Sequence, residues 1–394
     1  MSRIREIHLS EFGSEAGVVA EAPTVATLLG AVGTNNDGVC LRLVTPPTAQ
    51  VAVRRRDDTV VRFSAPDLKE RKRASLGTVR PRKEDRWARL PKAVVALLVA
   101  EGVVTAGMDV TLQSDAPSEC GLSLRSAFAV ALLKAVSRSF ATPLTPEKTI
   151  ELLGRLGSHY LKLDAAAVGR LQQSGEMMLA ASTGKVYACD LRNNSLSPYD
   201  WTAPGGYEIV LITAGVPQFA DDMSIREIDE FQKEALGILR KRRGGASLRD
   251  YGLADLEEYR ESLPDAARRA AFFILGENER VEEAANYINE GDMETLGGVL
   301  SASHGSLREN LDLSCPEIDW LVKRGLKVDG VIGMRIHGLA YGGAIVAILR
   351  TGVRENLMEA IEEYGRIFGF SPEIVTLVPD RAAAKGPTVR QLEG

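Results

Sequence analysis

The sequence predicts an α/β protein of two domains, and three observations carry that prediction. Strand-like and helix-like apolar spacings alternate along all 394 residues, a length that favours two cores over one. A turn-rich stretch, NNSLSPYDWTAPGG, interrupts the pattern midway and sets a boundary near Pro204 to Gly206, dividing the chain into residues 1–203 and 204–394. Apolar content of 45% with a formal charge of −5 describes a packed protein without the basic stripe of a nucleic-acid binder. The four cysteines lie far apart without metal-ligand spacing, so a reducing cytoplasm is the expected setting and no metal centre of side chains alone is expected. The charged start MSRIREIHLSEFG and the lack of any run of about twenty apolar residues argue against secretion and membrane insertion.

The elements follow in order. An amphipathic helix over 2–12 precedes strands at Gly17–Ala20, Val39–Thr45, Val51–Val53 and Val60–Ser64, as in a meander. Helical spacing then holds over Asp85–Glu101, Ser123–Phe140 and Pro146–Leu163, broken by the strand Met108–Gln113. Strands return at Met177–Ala181, Val186–Asp190 and in YEIVLITAG. The second domain is helix-rich over Ser224–Arg242, Asp265–Asn289, Asp292–Asn310 and Glu317–Lys323. It closes with strands Gly330–His337 and Ala344–Leu349, a helix Arg354–Phe368 and a strand Ile374–Val378.

One stretch invites chemistry. In PSECGLSLRSAFA (117–129), Gly121 permits a tight turn and Ser123 is placed to cap a helix that buries Leu124 and Phe128. Unpaired amides at a helix start favour an anion. An ordinary capped helix has the same signature, and by itself the segment leaves both readings open.

The order of segments adds a resemblance. PSECGLSLRSAFAVAL resembles the second motif of the GHMP small-molecule kinases, a Pro-x-x-x-Gly-Leu-Ser-Ser-Ser-Ala loop around the triphosphate, and GMRIHGLAYGGAIVAIL resembles their glycine-rich third motif. The segment 277–322, ENERVEEAANYINEGDMETLGGVLSASHGSLRENLDLSCPEIDWLV, is similar to galactokinases in particular, and TVATLLGAVGTNNDGVCL stands at their signature. The resemblance implies a two-domain GHMP kinase fold with a cleft between the domains, ATP and Mg2+ as cofactors, and a sugar or polyol as acceptor. It implies nucleotide contacts at Trp87, Pro117, Gly121, Leu122, Ser123 and Ser126, with Arg125 among them in sequence, and a third-motif loop with Arg335, Gly338, Gly342 and Gly343; Asn36, Asp37 and Gly38 either rebuild an acceptor site for another sugar or polyol or form an Asn-rich turn. His304 and Cys315 fall on family positions and are expected to be structural.

The departures concentrate where ionised side chains should act. Val25 stands at the family's arginine, Ala31 and Thr34 at its sugar-binding carboxylates, and Gln172 at its aspartate base; Asp164, eight residues upstream, is too far to replace it directly. A base contributes about 10²- to 10⁴-fold to rate, and unpaired sugar hydroxyls are costly to bury, so galactose is a poor acceptor for this chain. In the second motif Leu124 and Arg125 replace two serines, and Arg125 either meets a phosphate, blocks the pocket or points to solvent. Two functions follow: a sugar kinase of changed substrate or weak activity, and a non-catalytic nucleotide-binding pseudokinase acting as a sensor or through a partner protein.

Overall fold

The computed structural model describes residues 3–30, 37–117, 120–180, 184–199, 205–216, 222–338 and 343–379. Pro204, at the expected boundary, lies outside them. Residues group into two compact units: 1–25, 44–118 and 122–183 form one, and 26–43, 119–121 and 184–394 the other.

The first unit holds α1 (Arg3–Phe12), most of β1 (Val18–Leu29), the second part of β2 (Val39–Arg55), β3 (Val60–Ala65) and β4 (Glu70–Ser75). It continues with α2 (Arg89–Ala100), β5 (Met108–Ser114), α3 (Leu124–Ser139), α4 (Pro146–Arg155) and α5 (Ala165–Ala180). Its ladder runs β4-β3-β5-β2, with β3 and β5 parallel and the other pairs antiparallel. Helix α2 turns Val94, Val95, Leu97 and Leu98 inward, and α3 buries Ala127, Val130, Ala131 and Leu133.

The second unit contains the start of β2 with β6 (Val186–Asp190) and β7 (Ser195–Tyr199), and a four-stranded antiparallel sheet, β11-β8-β10-β9. That sheet comprises β8 (Tyr207–Thr213), β9 (Val331–His337), β10 (Ala344–Arg350) and β11 (Ile374–Val378). The helices are α6 (Asp222–Arg243), α7 (Leu253–Glu258), α8 (Asp265–Glu290), α9 (Met293–Leu311), α10 (Pro316–Gly325), α11 (Arg354–Ile361) and α12 (Tyr364–Phe368). Ile212, Ile274, Leu321, Met334 and Ile345 meet in its core, and the buried Tyr364 hydroxyl donates to the Ala214 carbonyl at 2.7 Å.

Several elements differ from expectation for identifiable reasons. The two strands expected at 39–45 and 51–53 are one strand that runs through Pro46 and Pro47. Residues 39–43 of β2 pair with β6 and residues 49–55 with β5, so the prolines fall between those two ladders, where their missing N–H is tolerated. Arg71, Lys72 and Arg73 lie in β4, whose charged residues suit an edge strand. Of Met177–Ala181, read as a strand, residues 177–180 form the last turn of α5, and Ala181 lies outside the described residues. A short apolar run does not separate the two periods, and Leu171, Ser174 and Met178 keep helical spacing. The helix expected over 146–163 ends at Arg155 and passes into a wider turn, and that over 354–368 breaks after Ile361.

Strand β9 crosses α9 where two glycines meet. A side chain at Gly333 would overlap the backbone of Gly297, and one at Gly297 would enter Ile332, whereas Gly298 faces open space. Gly297→Ala or Gly333→Ala is expected to cost about 1–3 kcal/mol through overpacking, while Gly298→Ala gains up to about 1 kcal/mol by helix propensity. Urea unfolding of the three variants checks this; equal effects at Gly297 and Gly298 would refute the close approach.

Candidate functional site

Within the first unit, the starts of α2 and α3 and the turn after β3 surround a cavity of about 710 Å3. The chain reaches it from β5 through a local turn: Ser114 Oγ donates to the Thr48 carbonyl (3.2 Å) and accepts the Ala116 N–H (2.9 Å). Gly121 (φ +67°) and Ser123 (φ +50°) are both left-handed at the entry to α3. Ser123 takes the N-cap position, but its side chain makes no capping bond, contrary to expectation. Its carbonyl serves instead, accepting the Ser126 and Ala127 amides at 2.9 and 3.1 Å. The α3 start thus presents amides and the positive end of the helix dipole without a side-chain cap.

The cavity wall is apolar at Leu68, Leu112, Phe128 and Leu163 and cationic at Lys83, Arg86, Arg89 and Arg125. Asp67 is its one carboxylate among the described residues; it accepts the Ser114 N–H at 3.3 Å. Trp87 lines the cavity half-buried, its indole oriented by a 2.8 Å bond from Nε1 to Glu70 Oε2. Arg89 is held by the Leu161 carbonyl at 2.5 Å, and Arg86 sits at φ +52°, a strained conformation for a non-glycine residue. Leu124 and Arg125 form wall and leave the cavity open, and Arg125 is exposed. Asp67, Lys83, Arg86 and Arg89 escaped the sequence reading; the available signal was the run KEDRWAR, which places three cations at intervals of three around Trp87.

The expected nucleotide residues are divided in placement. Trp87 and Arg125 line the cavity, whereas Ser126 is 9% exposed and Leu122 1%. Leu122 accepts the Val25 N–H at 3.3 Å, and Val25 is itself fully buried. Pro117 and Gly121 belong to the approach to α3. Gln172 lies on α5, its Nε2 donating to the Ile150 carbonyl of α4 at 3.2 Å while its amide packs over Gly154. The Asp164 carboxylate accepts the Ala167 N–H at 2.7 Å, a helix-start cap for α5.

The second unit gathers the other motifs around a buried carboxylate. Glu277 of α8, 2% exposed, accepts from Gly30 N–H (3.0 Å), Ser303 Oγ (2.8 Å), Arg280 Nε (2.9 Å) and Arg335 Nη2 (3.4 Å). Burial alone would raise its carboxyl; the Arg335 and Arg280 charges and the Gly30 amide more than offset this and hold it below its ordinary value. Arg335 has no exposed surface, and its guanidinium also binds Ser303 Oγ (2.7 Å) and the Ile336 carbonyl (2.8 Å). The neighbouring Asn278 accepts the Val39 N–H at 3.3 Å, so α8 grips both ends of the signature loop.

His337 performs a similar task from β9. Its Nε2 accepts the Thr27 N–H at 3.1 Å, which leaves Nδ1 as the donor to the Cys120 carbonyl at 2.8 Å. The ring is therefore neutral in a fixed tautomer, joining signature strand, second-motif loop and third-motif strand. His304, 4% exposed, accepts the Ile336 N–H at 3.4 Å. Asp37 (φ +58°) is tied through its carbonyl to Arg249 (3.2 Å) and through its carboxylate to Arg192 (3.6 Å), and the Gly38 carbonyl accepts the Leu191 N–H at 3.0 Å. Gly338 and Gly343 have φ of +89° and +76°. Ala31, Thr34, Asn36, Ala340 and Gly342 lie outside the described residues.

The fold is that of the GHMP kinases, and residues 89–169 match the family described as GHMP kinases N terminal domain. A Lactococcus lactis galactokinase complexed with galactose superposes with a TM-score of 0.82 at 18% identity, covering 96% of this chain and 98% of that one. A Methanococcus jannaschii mevalonate kinase superposes at 0.65 and 12% identity, over 92% and 98%. Among curated relatives, a provisionally named galactokinase of Treponema pallidum is 31% identical over 94% of this chain and 93% of its own. A Streptomyces coelicolor galactokinase is 29% identical over 97% of both. The chain belongs to the galactokinase family and is a galactokinase-like sugar kinase by descent.

Burial pushes His8, His304 and His337 each down to about 4. Since an unfolded histidine titrates near 6.5, the unfolded chain binds more protons between those values, and stability falls as pH drops through the window. Each histidine contributes at most about 1.4 kcal/mol per pH unit. Urea midpoints are expected to be flat above about pH 7 and to fall steadily between about 6.5 and 4; a curve unchanged down to about pH 5 would contradict three neutral buried rings.

Proposed function

We propose that this chain binds ATP in the α2–α3 cavity and phosphorylates a small polyhydroxylated acceptor other than galactose. The observation that carries the nucleotide part is the open cavity, with an aromatic ring, four cations and an uncapped helix start on its wall. An apolar slot suits a purine, and cations with free amides suit a triphosphate. Magnesium fits as cargo of the nucleotide: Asp67 is the one lining carboxylate among the described residues, and this ion is commonly bound by one or two carboxylates together with substrate phosphates. When bound it would neutralise phosphate charge. Trp87 and Arg125 are the residues assigned to hold base and phosphate, and Asn36, Asp37 and Gly38 those assigned to the acceptor.

The acceptor part rests on Val25 and Gln172. A buried valine supplies no charge to the transferred group, and an amide already donating to Ile150 takes no proton. Phosphoryl transfer depends mainly on positioning and electrostatics, so loss of a base slows it without forbidding it. The same two residues favour a second reading, a nucleotide-binding protein without turnover that acts through a protein partner.

Thermal unfolding with Mg·ATP separates the cases. Saturation at about a hundred times Kd stabilises the fold by about 2.7 kcal/mol, and the expected result is a raised midpoint. ADP release is then expected with one or more pentoses, hexoses, uronic acids or polyols and not with galactose. A midpoint unmoved by millimolar nucleotide overturns both readings. A raised midpoint with no ADP release from any acceptor leaves the non-catalytic one, and Gln172→Asp with Val25→Arg then asks whether the acceptor pocket persists.

A further inference from the structure

Two residues at the start of β2 and one of β6 face an unusual environment. Cys40 and Cys189 are direct cross-strand partners in the antiparallel β2–β6 ladder, so their side chains share one face of the sheet. Both are thiols, 1% and 0% exposed. Direct partners in such a ladder have Cα atoms about 4.5 or about 5.5 Å apart, and both spacings lie within the roughly 4.4–6.8 Å that a disulfide spans.

Two residues along β2 on that same face stands Arg42, 6% exposed, opposite Tyr187. Its Nε and Nη1 are buried without a hydrogen-bond partner, and among the described residues no carboxylate forms an ion pair with it. An arginine does not shed its proton in a protein, so this buried cation calls for a nearby anion. Among the described residues the acidic groups at hand are the sulfurs of Cys40 and Cys189. Burial opposes the Arg42 charge, and the adjoining Cys40 and Cys189, Cys40 through a hydrogen bond, more than offset it, leaving the guanidinium above its ordinary value. Cys189 Sγ lies 3.9 Å from the Tyr187 carbonyl as a weak donor, whereas Cys40 is the sulfur hydrogen-bonded to Arg42, and this pairing points to Cys40 as the partner of the cation.

We propose that Cys40 and Cys189 are a redox-active pair that closes to a disulfide on reaction with hydrogen peroxide, Arg42 holding Cys40 as the attacking thiolate. In the first step the Cys40 thiolate attacks one peroxide oxygen; the O–O bond breaks, giving a Cys40 sulfenic acid, and the departing hydroxide takes a proton to leave as water. In the second, the Cys189 sulfur attacks the Cys40 sulfur, the S–O bond breaks, and a second water leaves with the Cys189 proton. Two thiols are oxidised and one peroxide is reduced to two waters. The sequence pattern alone gave no hint, because 149 residues separate the partners and only the β2–β6 register joins them.

The two other cysteines serve as internal standards. Cys315 is half-buried and more exposed than either partner, and Cys120 is 1% exposed without a cysteine opposite in either sheet. The full-length protein is treated with graded hydrogen peroxide, quenched, and digested without reductant for mass spectrometry. The expected product is a peptide joining Cys40 to Cys189, lighter by two hydrogens, formed before Cys315 is oxidised and reversed by dithiothreitol. Arg42→Lys retains a cation and is expected to keep the reaction, while Arg42→Gln slows it on the order of tenfold or more by lowering the thiolate fraction. Cys189→Ser should leave a Cys40 sulfenic acid that a dimedone probe captures. Oxidation of Cys315 with Cys40 and Cys189 still reduced, oxidation of Cys40 without linkage in the wild type, or linkage at an unchanged rate in a folded Arg42→Gln would each overturn the proposal.

Discussion

The second unit is organised by a carboxylate that has no access to water. Glu277 must be matched on every side or it would not remain ionised, and the groups that match it come from four places in the sequence: Gly30, Arg280, Ser303 and Arg335. A buried pair of this kind costs several kcal/mol if one partner is removed. Its geometry therefore dictates where the signature strand, α9 and β9 stand relative to α8. His337 repeats the principle in uncharged form, one ring accepting from Thr27 and donating to Cys120. Motifs more than 200 residues apart are fixed by hydrogen bonds that allow a single arrangement.

This gives Arg335 and the third-motif glycines a concrete physical setting. Arg335 is consumed by Glu277, Ser303 and Ile336, and Gly333 makes room for α9. Around the α2–α3 cavity the resources are of a different kind: backbone amides, a helix dipole, an indole ring and several long cations. Amides survive almost any side-chain change, and one cation substitutes for another near a phosphate more readily than one acid substitutes for a base.

Much of this was legible in the sequence, and the exceptions are instructive. Helices such as α8 and α9 announced themselves through long runs of apolar spacing and capping residues, and β8 to β11 through β-rich runs between turns. The break in β2 was wrongly expected because proline is normally excluded from strands, and nothing local says that a ladder changes partner at Pro46 and Pro47. The family resemblance drew attention to the turn before α3, yet the cap at Ser123 depended on a left-handed φ that residue type did not announce. The cavity cations and the Glu277 cluster needed tertiary proximity. No spacing rule brings Asp67 beside Ser114 or Gly30 beside Glu277.

The Gln172 amide bridges α5 to α4, donating to the Ile150 carbonyl and lying against Gly154. An acid of similar length there would set its negative oxygen against a carbonyl oxygen, and a shorter one would leave that carbonyl without its side-chain donor. The charge carried at this position and the seam between two helices are therefore set together: a change made for one is felt in the other.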